Sequence, residues 1–137
     1  MTDYFSPTLS NDQLRAMSSI ALAHVGDAVY ELLARTYLCA QGKATGKGLH
    51  RAAVALVRAE KQAALSAHVL PLLTDEERDV FRRGRNAPVH TIPRHAARAA
   101  YQTATALEAL FGWLYLKGEK ERANALFCAM MEGNDAA

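Results

Sequence analysis

The sequence predicts an all-α fold of about six helices, and three observations predict it. Apolar residues recur at steps of three and four over long segments. β-Branched residues do not alternate with polar ones over any long stretch, while alanine is abundant. Gly and Pro fall between the periodic segments, where they act as punctuation. The 137 residues suit one domain, residues 1–137, and half of them are hydrophobic, enough for a real core and too many for a disordered chain.

The first helix is short and begins near Ser10 to Asp12, either of which can cap it. The second covers about Ser18 to Ala40, with Leu22, Val25, Val29, Leu32, Leu33 and Thr36 recurring along its apolar side. Gln41 to Gly46 holds two glycines and reads as a loop. A third helix runs from about Lys47 to Val69, and Pro71 ends that segment. Thr74 caps the fourth, Glu77 three residues on completes a capping box, and the helix reaches about Gly84. An irregular, basic connection with Pro88 and Pro93 follows. The fifth helix spans about Arg94 to Lys117 and stops at Gly118, a natural C-terminal cap. The sixth runs from about Glu119 to Glu132, and the final GNDAA is expected to fray.

Composition excludes several classes. Two cysteines, Cys39 and Cys128, make no disulfide scaffold and offer no metal-ligand spacing. The longest stretch without a charged residue, Gln62 to Thr74, is 13 residues and contains Pro71, whereas a spanning helix needs about 20. The polar start MTDYFSPTLS lacks the order of a signal peptide, so a cytoplasmic, soluble protein without membrane partners is expected. No Gly-rich phosphate loop is present, and Ser and Cys lack a His/Asp arrangement for nucleophilic catalysis.

The carboxylates carry the chemistry. On the fifth helix Ala97, Ala100, Ala104, Leu107, Phe111 and Leu114 share one face, and Glu108 falls inside that stripe. A buried carboxylate is costly unless paired, hydrogen-bonded or metal-bound. Glu108 is thus a structural group bonded to a neighbouring helix or Arg, or else a metal ligand or acid/base group. The second helix carries Asp27 and Glu31 one turn apart, opposite its apolar stripe, an arrangement that usually marks a solvated face. Gly26 immediately before Asp27, and Gly112 four residues after Glu108, argue against solvent alone. A mid-helix glycine beside a carboxylate suggests close approach by another backbone or a substrate. Carboxylates from two helices can hold Mg²⁺ or Mn²⁺, hard ions that activate water against a phosphodiester. His24, three residues before Asp27, is within reach of such a site. His90 and His95 flank Pro93 without forming a ligand set, and Tyr30, Tyr37, Tyr101, Trp113 and Tyr115 read as packing residues.

Charge is unevenly placed. The formal net charge is +2, yet Arg78 to Arg98 contains six arginines against one acid, Asp79, and Lys43 to Lys61 holds five cations against Glu60. Clustered Arg and Lys are the electrostatic footprint of a phosphate-backbone binder, though such runs more often line a solvated helix. The run Arg82-Arg83-Gly84-Arg85-Asn86 is expected to end in a flexible turn, where Asn86 and free N–H groups can meet phosphates or 2′-hydroxyls.

Taken together, these residues resemble a known family. Leu22-Ala-His-Val-Gly-Asp-Ala-Val-Tyr-Glu31 is similar to the signature helix of the ribonuclease III catalytic domain, and Glu108-Ala-Leu-Phe-Gly-Trp-Leu-Tyr-Leu116 to its later carboxylate helix. With Arg83-Gly-Arg-Asn86 and Ala104-Thr-Ala-Leu-Glu-Ala109, and less specifically Leu49-His50 and Gln62-Ala63, the chain resembles the bacterial Mini-ribonuclease III branch from about Leu14 to Leu126. The resemblance implies an all-helical, homodimeric endoribonuclease, cutting double-stranded RNA with Mg²⁺ and with no separate double-stranded-RNA-binding domain. It implies the 23S ribosomal RNA precursor as substrate, a setting in which a ribosomal protein helper has a place. Asp27 and Glu108 fall on matched catalytic and metal positions, and Glu31 is an additional candidate ligand. Arg82, Arg83, Arg85 and Asn86, with Lys47 and His50, are the expected RNA contacts. Larger family members carry acids where this chain has Ala23 and Thr105, losses that the Mini branch shares. Two rival readings compete: a catalytically inactive RNA-binding helical module, and an all-α metal-dependent nucleotide hydrolase.

Overall fold

In a computed structural model that describes residues 1–43, 45–88 and 97–136, seven α-helices form among those residues. They are α1 (Asn11–Arg15), α2 (Ser19–Ala40), α3 (Gly46–Val57), α4 (Ala59–Ser66), α5 (Asp75–Arg85), α6 (Arg98–Lys117) and α7 (Lys120–Ala136), with a 3₁₀ turn at Leu70–Leu72. No helix of the described residues is long and apolar enough to cross a membrane.

The caps explain most of the boundaries. Ser10 starts α1 with a capping box completed by Gln13, and Ser18 caps α2 by accepting from the Ala21 N–H. Thr74 and Glu77 form the expected box on α5, at 3.2 and 2.9 Å. Gly118 closes α6 in the left-handed region, φ 93°.

α6 is the axis of the fold. From Ala104 to Leu114 every residue except Glu108 is buried, so this helix is covered on all sides. α2, α5 and α4 pack against it, with α1 and α7 also in contact. Tyr30 of α2 meets Phe111 and Phe127 edge-on at 5.5 and 5.7 Å, each pair worth about 0.5–1.5 kcal/mol beyond area burial. α7 is tied to α5 by Arg122, whose guanidinium donates to the Glu77 carboxylate at 2.9 and 2.8 Å and to the Leu72 carbonyl at 2.8 Å.

Four expectations need correction. The buried face of α2 is Leu22, Ala23, Gly26, Tyr30, Ala34 and Leu38; the stripe through Val25, Val29 and Leu32 is partly or largely exposed, Leu32 at 60%. Small residues fill much of the true core face because α6 approaches there, and small residues carry little apolar signal. The segment from Lys47 to Val69 is two helices, because Arg58 is extended (φ −66°, ψ 152°) and acts as the N-cap of α4. The basic run stays helical through Arg85, with Asn86 as C-cap, so the turn expected to end it begins only at Asn86, and Gly84 lies in the last turn of α5. It is buried because a Cβ there would lie 2.9 Å from the Ala106 Cα of α6. Finally, α7 continues through the expected frayed tail to Ala136, with Asp135 accepting from the Tyr37 hydroxyl at 3.4 Å. The α6 start expected near Arg94 falls outside the described residues; Ala97 is its extended N-cap. His90, Pro93 and His95 lie outside them as well.

The α2–α6 crossing has no room for side chains. A Cβ on Gly26 would sit 1.6 Å from the Glu108 carbonyl oxygen, and one on Gly112 would sit 2.0 Å from the Leu22 carbonyl oxygen. Gly26→Ala is therefore expected to destabilise by about 3 kcal/mol or more, at or beyond the top of the usual range for overpacking. Gly46→Ala, whose Cβ meets nothing within 4 Å, should leave stability unchanged or raise it. Urea unfolding of the two variants checks the contrast.

Candidate active site

The same crossing builds the site. Gly26 lies against the backbone of Glu108, so the next residue of α2, Asp27, emerges beside the Glu108 side chain. Asp27 is exposed and Glu108 is half-buried. Burial, then the charge and contact of Asp27, push the Glu108 carboxyl up to about 8, against a smaller lowering by Gln62. Gln62 of α4 is 2% exposed and its Nε2 reaches Glu108 Oε2 at 3.4 Å while donating to the Val57 carbonyl at 2.6 Å. Tyr30, fully buried, stands near enough that Glu108 adds to the effect of burial in holding its hydroxyl proton more tightly than usual. The only buried side-chain polar atoms without a partner among the described residues are Tyr30 OH and Gln62 Oε1.

The remaining sequence-predicted residues are dispersed. Glu31 lies one turn beyond Asp27 and forms an ion pair with Arg35 at 2.9 Å. Among the described residues no three of His, Cys, Asp and Glu gather as a metal group. His24 lines a groove with Phe5, Val25, Val29 and Leu32 instead of joining Asp27. Lys47 and His50 are exposed on α3, which packs on α2 and α4, whereas Arg82, Arg83, Arg85 and Asn86 end α5, which packs on α6 and α2. Asp79 pairs with both Arg82 and Arg83, at 2.5 and 3.1 Å, while Arg85 has no ion pair among the described residues. Ala23 and Thr105 are both buried, and the Thr105 hydroxyl donates to the Tyr101 carbonyl of its own helix at 3.0 Å. Sequence reasoning assigned no role to Gln62 or to the Tyr30 hydroxyl. The available signal was a polar amide at a core position of α4, in step with buried Leu65, Ser66 and Val69.

The donors suit a hard divalent cation. Mg²⁺ is commonly held by one or two carboxylates, with water and substrate phosphates completing its shell, so a set of three acids is not required. Two carboxylates forced together, one of them raised to about 8, are the arrangement that a nearby cation stabilises.

Residues 20–119, which include α6 and all of α2 but its first residue, match the Ribonuclease III domain. That places the protein among the ribonuclease III endoribonucleases, enzymes that act on double-stranded RNA. A Mini-ribonuclease 3 from Symbiobacterium thermophilum is 44% identical over 110 residues, spanning 80% of this chain and 85% of its own. Another from Enterococcus faecalis is 41% identical over 114 residues, spanning 82% and 86%. A crystal structure of a protein from Fusobacterium nucleatum superposes with a TM-score of 0.80 at 30% identity, over 89% of this chain and 98% of that one. The chain belongs to the Mini-ribonuclease III family.

The raised Glu108 has a consequence for metal-free protein. Folded, it binds its proton up to about pH 8; unfolded, only to about 4.5. Below that window both states are protonated and Glu108 does not affect stability. As pH rises through it, the unfolded chain ionises first and stability falls. Glu108→Gln should therefore melt about 3 °C or more above the unsubstituted protein at pH 8 in EDTA, with the gap closing toward pH 5. Melting curves at the two pH values measure it; a gap that does not grow with pH would contradict a buried, repelled Glu108.

Proposed function

We propose that this protein is a Mg²⁺-dependent endoribonuclease, for which Mn²⁺ can substitute, that cuts double-stranded RNA as a cytoplasmic homodimer. The single observation that carries the reading is the pairing of Asp27 with Glu108 across the α2–α6 crossing. Asp27 and Glu108 hold the ion directly or through water. When bound, Mg²⁺ supplies charge neutralisation at the phosphodiester and activation of the attacking water. Arg82, Arg83, Arg85, Asn86, Lys47 and His50 bind the phosphate backbone, all of them on exposed surface. Glu31 reaches the ion only by giving up its pair with Arg35.

The homodimer is supported by the exposed apolar face of α2. Leu32 and Ile20 are 60% and 48% exposed, and Val25, Val29, Leu32 and Leu33 line one groove with Phe5. Such a face invites a second copy. The 23S ribosomal RNA precursor as substrate, and a ribosomal protein helper with it, rest on the family resemblance alone.

Asp27→Asn is expected to fold, to retain duplex-RNA affinity, and to cleave at least about 100-fold more slowly with saturating Mg²⁺. Cleavage of labelled duplex RNA checks this, and normal-rate cleavage by a folded Asp27→Asn would sink the reading. Metal-independent binding without any cleavage would favour the inactive module, and hydrolysis of free nucleotides alone would favour the hydrolase.

The pairs with Asp79 rank the basic residues. Arg85→Ala should weaken duplex binding and lower the salt slope by about one unit, whereas Arg82→Ala leaves Asp79 with Arg83 and should cost less. Binding curves across a salt series measure both, and equal affinities for Arg85→Ala and the unsubstituted protein would remove Arg85 from the RNA surface.

A further inference from the structure

We propose that Gln62 is a positioning residue for the reaction, fixing the Glu108 carboxylate from behind through an amide anchored at the α3–α4 break; the assignment rests on the metal-dependent reading above. Three observations carry it. The first is the break itself. α3 stops at Val57 because Arg58 turns extended, which takes the Val57 carbonyl out of the helical ladder. The Gln62 side chain fills that need, with Nε2 donating to Val57 O at 2.6 Å, and its backbone N–H bonds Arg58 O at 3.0 Å. Side chain and backbone of one residue therefore close the break, and the amide has little freedom left.

The second observation is direction. The same Nε2 stands 3.4 Å from Glu108 Oε2, so the group locked by the break is the one that meets the carboxylate. A carboxylate on a rigid helix still rotates about its side-chain torsions, and a fixed donor selects among those rotamers.

The third is the remaining valence. Gln62 is 2% exposed, and its Oε1 is one of only two unpartnered buried side-chain atoms among the described residues. The other is the hydroxyl of Tyr30, a residue that also feels the charge of Glu108. A fully buried amide is costly when half-satisfied. Its retention at a buried position therefore calls for more than closure of the break, and the contact of Nε2 with Glu108 supplies it.

The test compares Gln62→Met, which preserves bulk and removes the amide, with the unsubstituted protein. Cleavage of duplex RNA is measured below both melting temperatures, and the Mg²⁺-induced rise in melting temperature is measured without RNA. The expected result is kcat lower by about 10- to 100-fold with KM for RNA nearly unchanged, and a Mg²⁺ midpoint moved to higher concentration by a similar factor. In the unsubstituted protein, the Gln62 side-chain NH₂ resonances should shift on titration with MgCl₂, with the midpoint seen in melting. A Gln62→Met protein that only melts earlier, with kcat and Mg²⁺ midpoint intact, would show a plain structural cap and overturn the assignment. If Gln62→Met does not fold, the NMR titration decides, and unmoved Gln62 resonances overturn it. An unsubstituted protein that neither binds Mg²⁺ nor cleaves with it would take down the metal-dependent reading, and this assignment with it. A protein that does both while Gln62 is indifferent loses this assignment alone.

Discussion

Everything that makes this domain chemically interesting depends on one contact, the reciprocal seating of Gly26 and Gly112 where α2 crosses α6. Each glycine occupies space that a Cβ would dispute with a carbonyl of the other helix, Glu108 in one case and Leu22 in the other. The helices meet backbone to backbone. That closeness brings Asp27 beside Glu108, since each acid is within a few residues of the contact on its own helix. An ordinary Leu- or Val-filled crossing separates helix axes by roughly 8–10 Å and holds its flanking side chains further apart. The crossing also explains why α6 tolerates burial on almost every side: the residues facing α2 and α5 are small where backbones approach, as at Gly84 against Ala106 and Ala109.

The carboxylate pair opposes folding. Glu108 is raised by burial and by its neighbour, so the fold holds two acids in a place where water alone would keep them apart. Stability has to come from elsewhere: edge-on aromatic packing around Tyr30, capping boxes on α1 and α5, and the Glu77–Arg122 pair, where the guanidinium holds the Glu77 carboxyl below its ordinary value. Glu77 is buried, belongs to the α5 capping box and receives two guanidinium bonds, so it is satisfied wherever it could ask for a partner. Glu108 has only a 3.4 Å contact with Gln62 and a second acid beside it. The contrast between the two acids distinguishes a structural carboxylate from one held ready for something else.

Much of this was legible in the sequence. Caps announced themselves, because Ser10, Thr74 and Gly118 act locally. Gly26 and Gly112 were correctly read as sites of close approach, since a mid-helix glycine has few other justifications. What failed depended on partners distant in the chain. The core face of α2 was misread because Ala23, Gly26 and Ala34 carry little hydrophobic signal, while Val25, Val29 and Leu32 carry much. The break at Arg58 has no Pro or Gly to mark it; the Gln62 amide compensates it from four residues away, which periodicity cannot see. Gly84 was read only as the approximate end of its helix, because its constraint comes from Ala106 and Ala109 on another helix.

On the proposed function, reduction of the acid set to two would make RNA part of the metal site. At Ala23 and Thr105, where larger relatives carry acids, this chain packs a methyl group into the core and ties a hydroxyl to the Tyr101 carbonyl. Ala23 has no side-chain oxygen to lend, and the buried Thr105 hydroxyl is bonded within its own helix. On that reading Asp27 and Glu108 would hold Mg²⁺, with water and the phosphate of the substrate supplying the remaining ligands. Metal and RNA would then stabilise each other's binding, and by linkage the coupling would be the same in both directions. A site with four acids would hold its ions before the substrate arrives, and would have to keep more charge in a place where one carboxylate is already raised to about 8. On the proposed function, the two-acid site gives up affinity for the free ion, eases repulsion in the metal-free fold, and favours ion binding when a duplex is in place.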